Sequence, residues 1–309
     1  MRGVVSLDET VCLQVEVSGG KGASLGRMRA AGMPVPPGFV VTADAMRQSL
    51  AESGHLEEVE SLVAVFANDW SETHVRAIQD LVMASAPGSD LTEEINQAYK
   101  DLGNEVFVAV RSSACAEDSD SASFAGQQET FLNVIGADSV LHRIVECWAS
   151  FFAERALFYR KAKGSLADLG MAVVVQKQLT ADKSGVLFTT DPIRQRRDQM
   201  IIEAAYGLGE AVVSGMVTPD NYVARRDGRL KKAHVGRQDS MIVRNGEGGT
   251  ITVEVDEEMA VARVLDDDEI AQLVAMGLEL ESAFGAPQDI EWAFEDGGLF
   301  VLQSRPITT

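Results

Sequence analysis

The sequence predicts an α+β protein. Three observations carry this. Short apolar runs at residues 106–110 and 171–175 have the length of buried strands. Leu141, Ile144, Val145, Trp148, Phe151 and Phe152 recur at helical spacing. The last residues form two short runs around Glu295-Asp296-Gly297-Gly298, the pattern of a hairpin. Helix and antiparallel strand mixed in one chain point to α+β.

The elements follow in order. Ser18-Gly19-Gly20-Lys21-Gly22 predicts a glycine turn, and Leu25 and Met28 mark a short helix after it. Pro34-Val35-Pro36-Pro37-Gly38 must be extended or turning, because proline fixes φ and restricts the residue before it. Residues 44–102 read as helices, with a break at Ala86-Pro87-Gly88. The strand at 106–110 leads into a loop of small polar residues, 111–127. Asp138 is a natural N-cap for the long helix that follows. Residues 171–175, 185–190 and 200–204 read as strands, and 222–255 as a small antiparallel region. Asp266, Asp267 and Asp268 open a helix with the stripe Ile270, Leu273, Val274, since acidic groups suit the positive end of the helix dipole. The closing hairpin pairs 290–294 with 299–303. A four-residue loop at 295–298 would set Glu291 opposite Leu302, whereas a three-residue loop with a bulge sets it opposite Gln303. The odd-length loop is the expectation.

Composition bounds the function. The 309 residues suffice for one two-lobed domain or two small ones, and 46% hydrophobic content suits a packed protein rather than a disordered one. There are 47 Asp and Glu against 27 Lys and Arg, which argues against nucleic acid and anionic membranes as partners. No apolar run approaches the length of a membrane span, and Met1 to Thr10 lacks a secretory apolar core. Cys12, Cys115 and Cys147 form no CxxC pair, so neither a zinc ribbon nor a disulfide framework follows, and a cytoplasmic setting is expected. His55, His74, His142 and His234 lack metal spacing, and no GxSxG marks a serine nucleophile.

Four stretches have the chemistry to do more than fold. Gly19-Gly20-Lys21-Gly22 lets backbone and a cation approach phosphate, although it is not a Walker A loop and alone is more simply a plain glycine turn. Arg111-Ser112-Ser113-Ala114 leaves a buried strand, where the arginine is placed to fork onto phosphate. The loop then runs through Ser119, Ser121 and Ser123 to Ala125-Gly126-Gln127, a composition that permits a mobile flap. Tyr206-Gly207-Leu208-Gly209-Glu210 follows Glu203 and is not a Rossmann turn, because Val212 stands where the third glycine belongs. In the terminal hairpin, Gln303 and Arg305 share a face by strand alternation. Glu291 and Gln303 supply hard oxygen ligands suited to Mg²⁺; the competing reading is a polar, solvated strand face.

Together these stretches resemble the amino-terminal ATP-binding domain shared by phosphoenolpyruvate synthase, pyruvate phosphate dikinase and rifampicin phosphotransferase. Residues 19–26 (Gly-Gly-Lys-Gly-Ala-Ser-Leu-Gly), Val35-Pro36-Pro37-Gly38-Phe39 and Ala109-Val110-Arg111-Ser112-Ser113-Ala114 match in family order. So do Ala116-Glu117-Asp118, residues 122–127, residues 185–192, Gly207-Leu208-Gly209-Glu210 and residues 303–308. The resemblance implies an ATP-grasp fold, two lobes (residues 1–179 and 180–309) with the nucleotide cleft between them. It implies that Lys21, Arg111 and Arg305 act on the ATP phosphates and that Thr130 follows the flap. Lys177, Gln178 and Leu179 would lie against adenine with their backbone groups reading the base edge, and Glu203 joins the nucleotide-binding set. Glu291 and Gln303 would hold Mg²⁺. Gln178 departs from the family, where an apolar residue is usual.

Those enzymes also use a swivelling phosphohistidine domain, and none of the four histidines here sits in its context. The sequence therefore resembles split systems such as phenylphosphate synthase and the 4-cresol (4-methylbenzyl phosphate) phosphorylating enzymes, in which the ATP domain is a separate subunit. The expectation is a dikinase-type subunit that converts ATP to AMP and phosphate and phosphorylates a histidine on a partner. The end acceptor would be a phenol such as 4-cresol. The alternatives are an ATP-binding fragment of a phosphoenolpyruvate synthase or rifampicin phosphotransferase, or a self-sufficient ATP-grasp ligase releasing ADP.

Overall fold

A computed structural model describes residues 2–69, 71–115, 129–194, 196–213, 215–246 and 248–307. The chain divides into two compact units, residues 1–26 with 37–178, and residues 27–36 with 179–309. Residues 27–36 group with the second unit, where the Val301 N–H donates to the Pro34 carbonyl at 3.0 Å.

The first unit begins with β1 (Val4–Ser6) and α1 (Val15–Ala30), whose last turn belongs to the second unit. Next come β2 (Gly38–Val41) and the helices α2 (Ala43–Glu52), α3 (Leu56–Asn68), α4 (Glu72–Ala84) and α5 (Ser89–Leu102). It continues with β3 (Val108–Ala114), β4 (Thr130–Val134), α6 (Ala137–Ser150), α7 (Glu154–Lys163) and β5 (Met171–Lys177). Among the described residues the strands form an antiparallel sheet in the order β1-β2-β5-β3-β4. The apolar stripes of α4 (Val75, Ile78, Val82), α5 (Leu91, Ile95) and α6 (Val140, Ile144, Trp148) share one core with Val41, Val110, Val173 and Val175. β5 reads Met-Ala-Val-Val-Val because both of its faces are buried.

The second unit contains β6 (Lys183–Phe188), β7 (Gln199–Tyr206), α8 (Glu210–Val213), β8 (Asp220–Arg225) and β9 (Leu230–His234). Then come β10 (Ser240–Arg244), β11 (Thr250–Glu254), α9 (Glu257–Ala260), α10 (Asp267–Phe284), β12 (Gln288–Glu295) and β13 (Gly298–Pro306). An antiparallel sheet runs β13-β12-β6-β7-β8-β9, and β10 and β11 form a separate hairpin. Asp266 and Glu269 make a capping box at the start of α10, and Gly285 closes it in the left-handed conformation. α10 lies on one sheet face; a Cβ on its Gly277 would come within 2.9 Å of Leu187 Cδ2. That face is apolar, with Leu187, Ile202, Tyr222, Ile290 and Trp292 all fully buried.

Several expectations change. The stretch 18–22 is not a free turn. It lies within α1, which kinks at Gly19 (φ 68°, ψ 175°) and resumes as helix. Asp138 is not the N-cap of α6; Gly136 holds that place and Asp138 sits in the first turn. The region 222–255 is not one small sheet, because β8 and β9 extend the main sheet and only β10 and β11 stand apart.

The terminal hairpin turns on two residues, not three. Glu295 pairs with Gly298, while Asp296 and Gly297 both have positive φ, the signature of a type I′ turn. The pairing then slips between Glu291 and Trp292. Trp292 faces Val301 and Glu291 faces Gln303, so Leu302 is the extra residue of a bulge. The expected opposition of Glu291 and Gln303 is present, produced by the strand and not by the loop.

Candidate nucleotide site

In the first unit the cationic residues gather around β3. Gly19 approaches β3 so closely that a Cβ there would lie 2.2 Å from the Ser113 carbonyl oxygen. Its φ and ψ also fall in a region that essentially only glycine adopts. Ser113 fastens the kink from below. Its Oγ donates to the Ser18 carbonyl at 2.8 Å and accepts from the Gly22 N–H at 3.2 Å. Lys21 leaves the first turn after the kink, and its Nζ donates to the Ser112 carbonyl at 3.0 Å.

Arg111 precedes Ser112 and pairs across the strands with Thr130. It shares a sheet face with Ser113, two residues on, which is the face that α1 covers. The structure thus brings Lys21, Arg111 and Thr130 to one place. Cys12 donates its thiol to the Gly22 carbonyl at 3.5 Å, and burial pushes its pKa up to about 11, so it packs beneath the kink as a protonated thiol. The expected flap residues Ser119, Ser121, Ser123, Ala125, Gly126 and Gln127 lie outside the described residues.

Lys177 ends β5 and is exposed. Its N–H donates to the Pro37 carbonyl, and that of Gln178 to the Phe107 carbonyl, both at 2.8 Å. Those two N–H groups are therefore engaged within the unit. Leu179, the next residue, is buried and opens the second stretch of the second unit.

In the second unit the sheet face away from α10 carries a polar row. Directly paired residues of antiparallel strands point to the same side. The register links Gln303 to Glu291, Glu291 to Val186, Val186 to Glu203 and Glu203 to Asn221. One step along the strands, a second row links Arg305, Asp289, Phe188, Ile201, Val223 and Lys232. Glu203, Glu291, Gln303 and Arg305 thus share one face, each only partly covered or exposed.

Asp289 was not among the expected residues. Arg305 donates to its Oδ2 from Nε and from Nη2, each at 2.7 Å. Desolvation raises the Asp289 pKa, Arg305 opposes that rise, and the nearby Glu291 charge adds to it. Strand alternation from Glu291 was enough to find Asp289. Asn221 joins the same row, and only the register, which pairs it with Glu203, reveals it.

This donor set fits Mg²⁺. Glu291 and Gln303 offer oxygens from opposite positions of one hairpin, and Asp289 adds a carboxylate beside them. Among the described residues no cluster of three or more His, Cys, Asp or Glu could hold a metal. A partial protein shell is what Mg²⁺ uses, since it keeps waters and takes oxygens from substrate phosphates.

The chain belongs to the family described as the pyruvate phosphate dikinase AMP/ATP-binding domain, whose model matches residues 15–309. It is 44% identical over 319 residues to a probable phosphoenolpyruvate synthase of Methanocaldococcus jannaschii, covering 100% of this chain and 27% of that protein. It is 41% identical to the phosphoenolpyruvate synthase of Pyrococcus furiosus, covering 96% and 42%, respectively. It is 42% identical to a rifampicin phosphotransferase of Streptomyces sviceus, covering 100% and 36%. The chain therefore spans less than half of the length of these curated relatives. A solved D-alanine–D-alanine ligase of Bacillus anthracis aligns with 98% of this chain and 60% of its own, at 11% identity and a TM-score of 0.36.

Among the described residues no helix is long and apolar enough to cross a membrane.

Proposed function

We propose that this chain binds Mg²⁺-ATP and delivers a phosphoryl group to a histidine on a separate subunit, releasing AMP and phosphate. We read its two units as the lobes of an ATP-grasp domain. The observation that carries the reading is the polar row of the second unit, Gln303–Glu291 beside Asp289–Arg305, in a chain of this family. Arg111 on β3 and Lys21, which reaches β3 from α1, would supply the cations that such a transfer needs.

Phosphoryl transfer asks a protein mainly for positioning and charge neutralisation. Arg111 and Arg305 can each fork onto phosphate oxygens, and Lys21 adds a point charge. Glu291 and Gln303 would hold Mg²⁺, which when bound neutralises phosphate charge. Lys177, Gln178 and Leu179 would take the adenine, and Glu203 with Asn221 the hydroxyls of the sugar.

We look for the acceptor histidine outside these residues, because the four here are poorly sited. His55 Nδ1 is hydrogen-bonded to Ser85 Oγ at 2.8 Å, and His142 lies beside Glu146. His74 follows the Ser71 cap of α4. His234 does continue the Glu203–Asn221 row, but four strands from Glu291. At strand spacing that is roughly 19 Å. We take the end acceptor to be a phenol such as 4-cresol, as in the split systems that the sequence resembles.

The test is phosphorus NMR of the chain mixed with ATP, Mg²⁺ and the purified histidine-bearing protein. AMP, phosphate and an acid-labile phosphohistidine are the expected products, water taking the second phosphoryl group. ADP as the sole nucleotide product would favour a ligase and overturn the reading.

A further inference from the structure

Residues 191–198 and 225–232 hold eight Arg and Lys against three Asp, in a chain of net charge −20. The register brings these segments together at one end of the six-stranded sheet. Gln199, at the start of β7, pairs with Arg225, at the end of β8. Lys231 Nζ donates to Gln199 Oε1 at 2.9 Å. A depression of about 390 Å³ lies there, lined by Asp198, Arg225, Arg226, Asp227 and Lys231. Its two carboxylates are already engaged, Asp198 by Arg196 and Asp227 by Arg229.

The loop between β6 and β7 is built to display its tip. Asp191 is buried, and its Oδ1 accepts from the N–H groups of Ile193 (3.0 Å) and Arg194 (2.9 Å). Thr190 Oγ1 donates to the Arg196 carbonyl at 3.0 Å across the base of the loop. The result is an isoleucine that is 91% exposed, beside exposed Arg194, Arg196 and Arg197. An apolar anchor ringed by arginines has the make-up of a protein-binding hot spot. Nucleic acid does not call for the isoleucine, and the charge of the rest of the chain repels it.

The surface also adjoins the Asp289–Arg305 end of the polar rows. The loop leaves the sheet at Phe188, the cross-strand neighbour of Asp289, to which Arg305 is bound. We infer that this end of the sheet is the docking surface for the protein that takes the phosphoryl group, with Ile193 seated in an apolar pocket of that protein and the arginines against its acidic face. This inference rests on the phosphotransfer reading above.

The test is titration calorimetry of the chain against the purified histidine-bearing protein. Ile193→Asp, and separately Arg194→Glu with Arg197→Glu, should raise Kd about tenfold or more. Val261→Asp, a like change at another exposed apolar residue, should leave Kd unchanged. The parent's Kd should rise with salt, and all variants should bind Mg²⁺-ATP and unfold on heating as the parent does. Parent-like partner binding in both loop variants would overturn the docking surface, as would failure of the parent to bind the protein at all. Weakened binding in those variants, with no AMP formed by the parent complex, would keep the surface and remove the phosphotransfer reading.

Discussion

At the scale of single residues, Gly19 and Arg305 show how tightly the site is tied to its scaffold. A Cβ at position 19 meets the Ser113 carbonyl and would hold a strained backbone. Gly19→Ala should therefore cost about 2–4 kcal/mol, read as a lowered midpoint in chemical denaturation. Arg111→Ala acts differently. Its fork would meet charge that grows during transfer, so turnover should fall roughly 10²–10³-fold while adenosine binding barely changes. Near-parent turnover at saturating partner would remove Arg111 from its role. For Arg305 the effect is linked to pH. Asp289 already has a raised pKa, and without Arg305 it rises further. A raised carboxyl pKa means stability that is present at low pH and lost as pH rises through the folded pKa. Arg305→Ala should thus destabilise by ~1 kcal/mol at high pH, a value discounted for the exposure of the arginine. The deficit should shrink as pH falls through the raised pKa toward the ordinary carboxylate range. A deficit that grows on acidification would contradict this account of the pair.

At the scale of elements, the capping box of α10 offers a clean contrast. Asp266→Ala removes the cap from the helix that covers the apolar sheet face, which should cost about 1 kcal/mol. Affinity for Mg²⁺-ATP should stay the same, since the second unit's candidate residues lie on the opposite face of that sheet. Elements with strong local signals were legible from sequence. Asp266–Asp268 opened a helix as expected, and apolar runs marked β5 and β7, although both strands extend beyond them. What escaped depends on contacts distant in sequence. The kink at Gly19 reads as a turn until Ser113 is known to lie beneath it. The two-residue turn at Asp296-Gly297 carries the Asp-Gly signal, but the bulge at Leu302 follows from pairing that no local rule fixes. Glu291 and Gln303 were legible as candidate ligands because of their chemistry. Asn221 was not, because its place beside Glu203 comes from register alone.

Across the whole chain, each of the two units carries a distinct chemistry. One gathers cations on β3, and the other gathers carboxylates and an amide on one sheet face. Net charge is −20, yet cations concentrate at one end of the second unit's sheet. Such a distribution steers an acidic partner to that end, so complex formation should slow as salt rises. Under the proposed function, ATP is opened here only when a histidine elsewhere can attack it. The direct measurement is AMP formation, followed by chromatography, from the purified chain with ATP and Mg²⁺, with and without the histidine-bearing protein. Little nucleotide turnover is expected from the chain alone, and sustained conversion of ATP to AMP and phosphate once that protein is added. Rapid AMP formation by the chain alone, or no change on adding the partner, would contradict it.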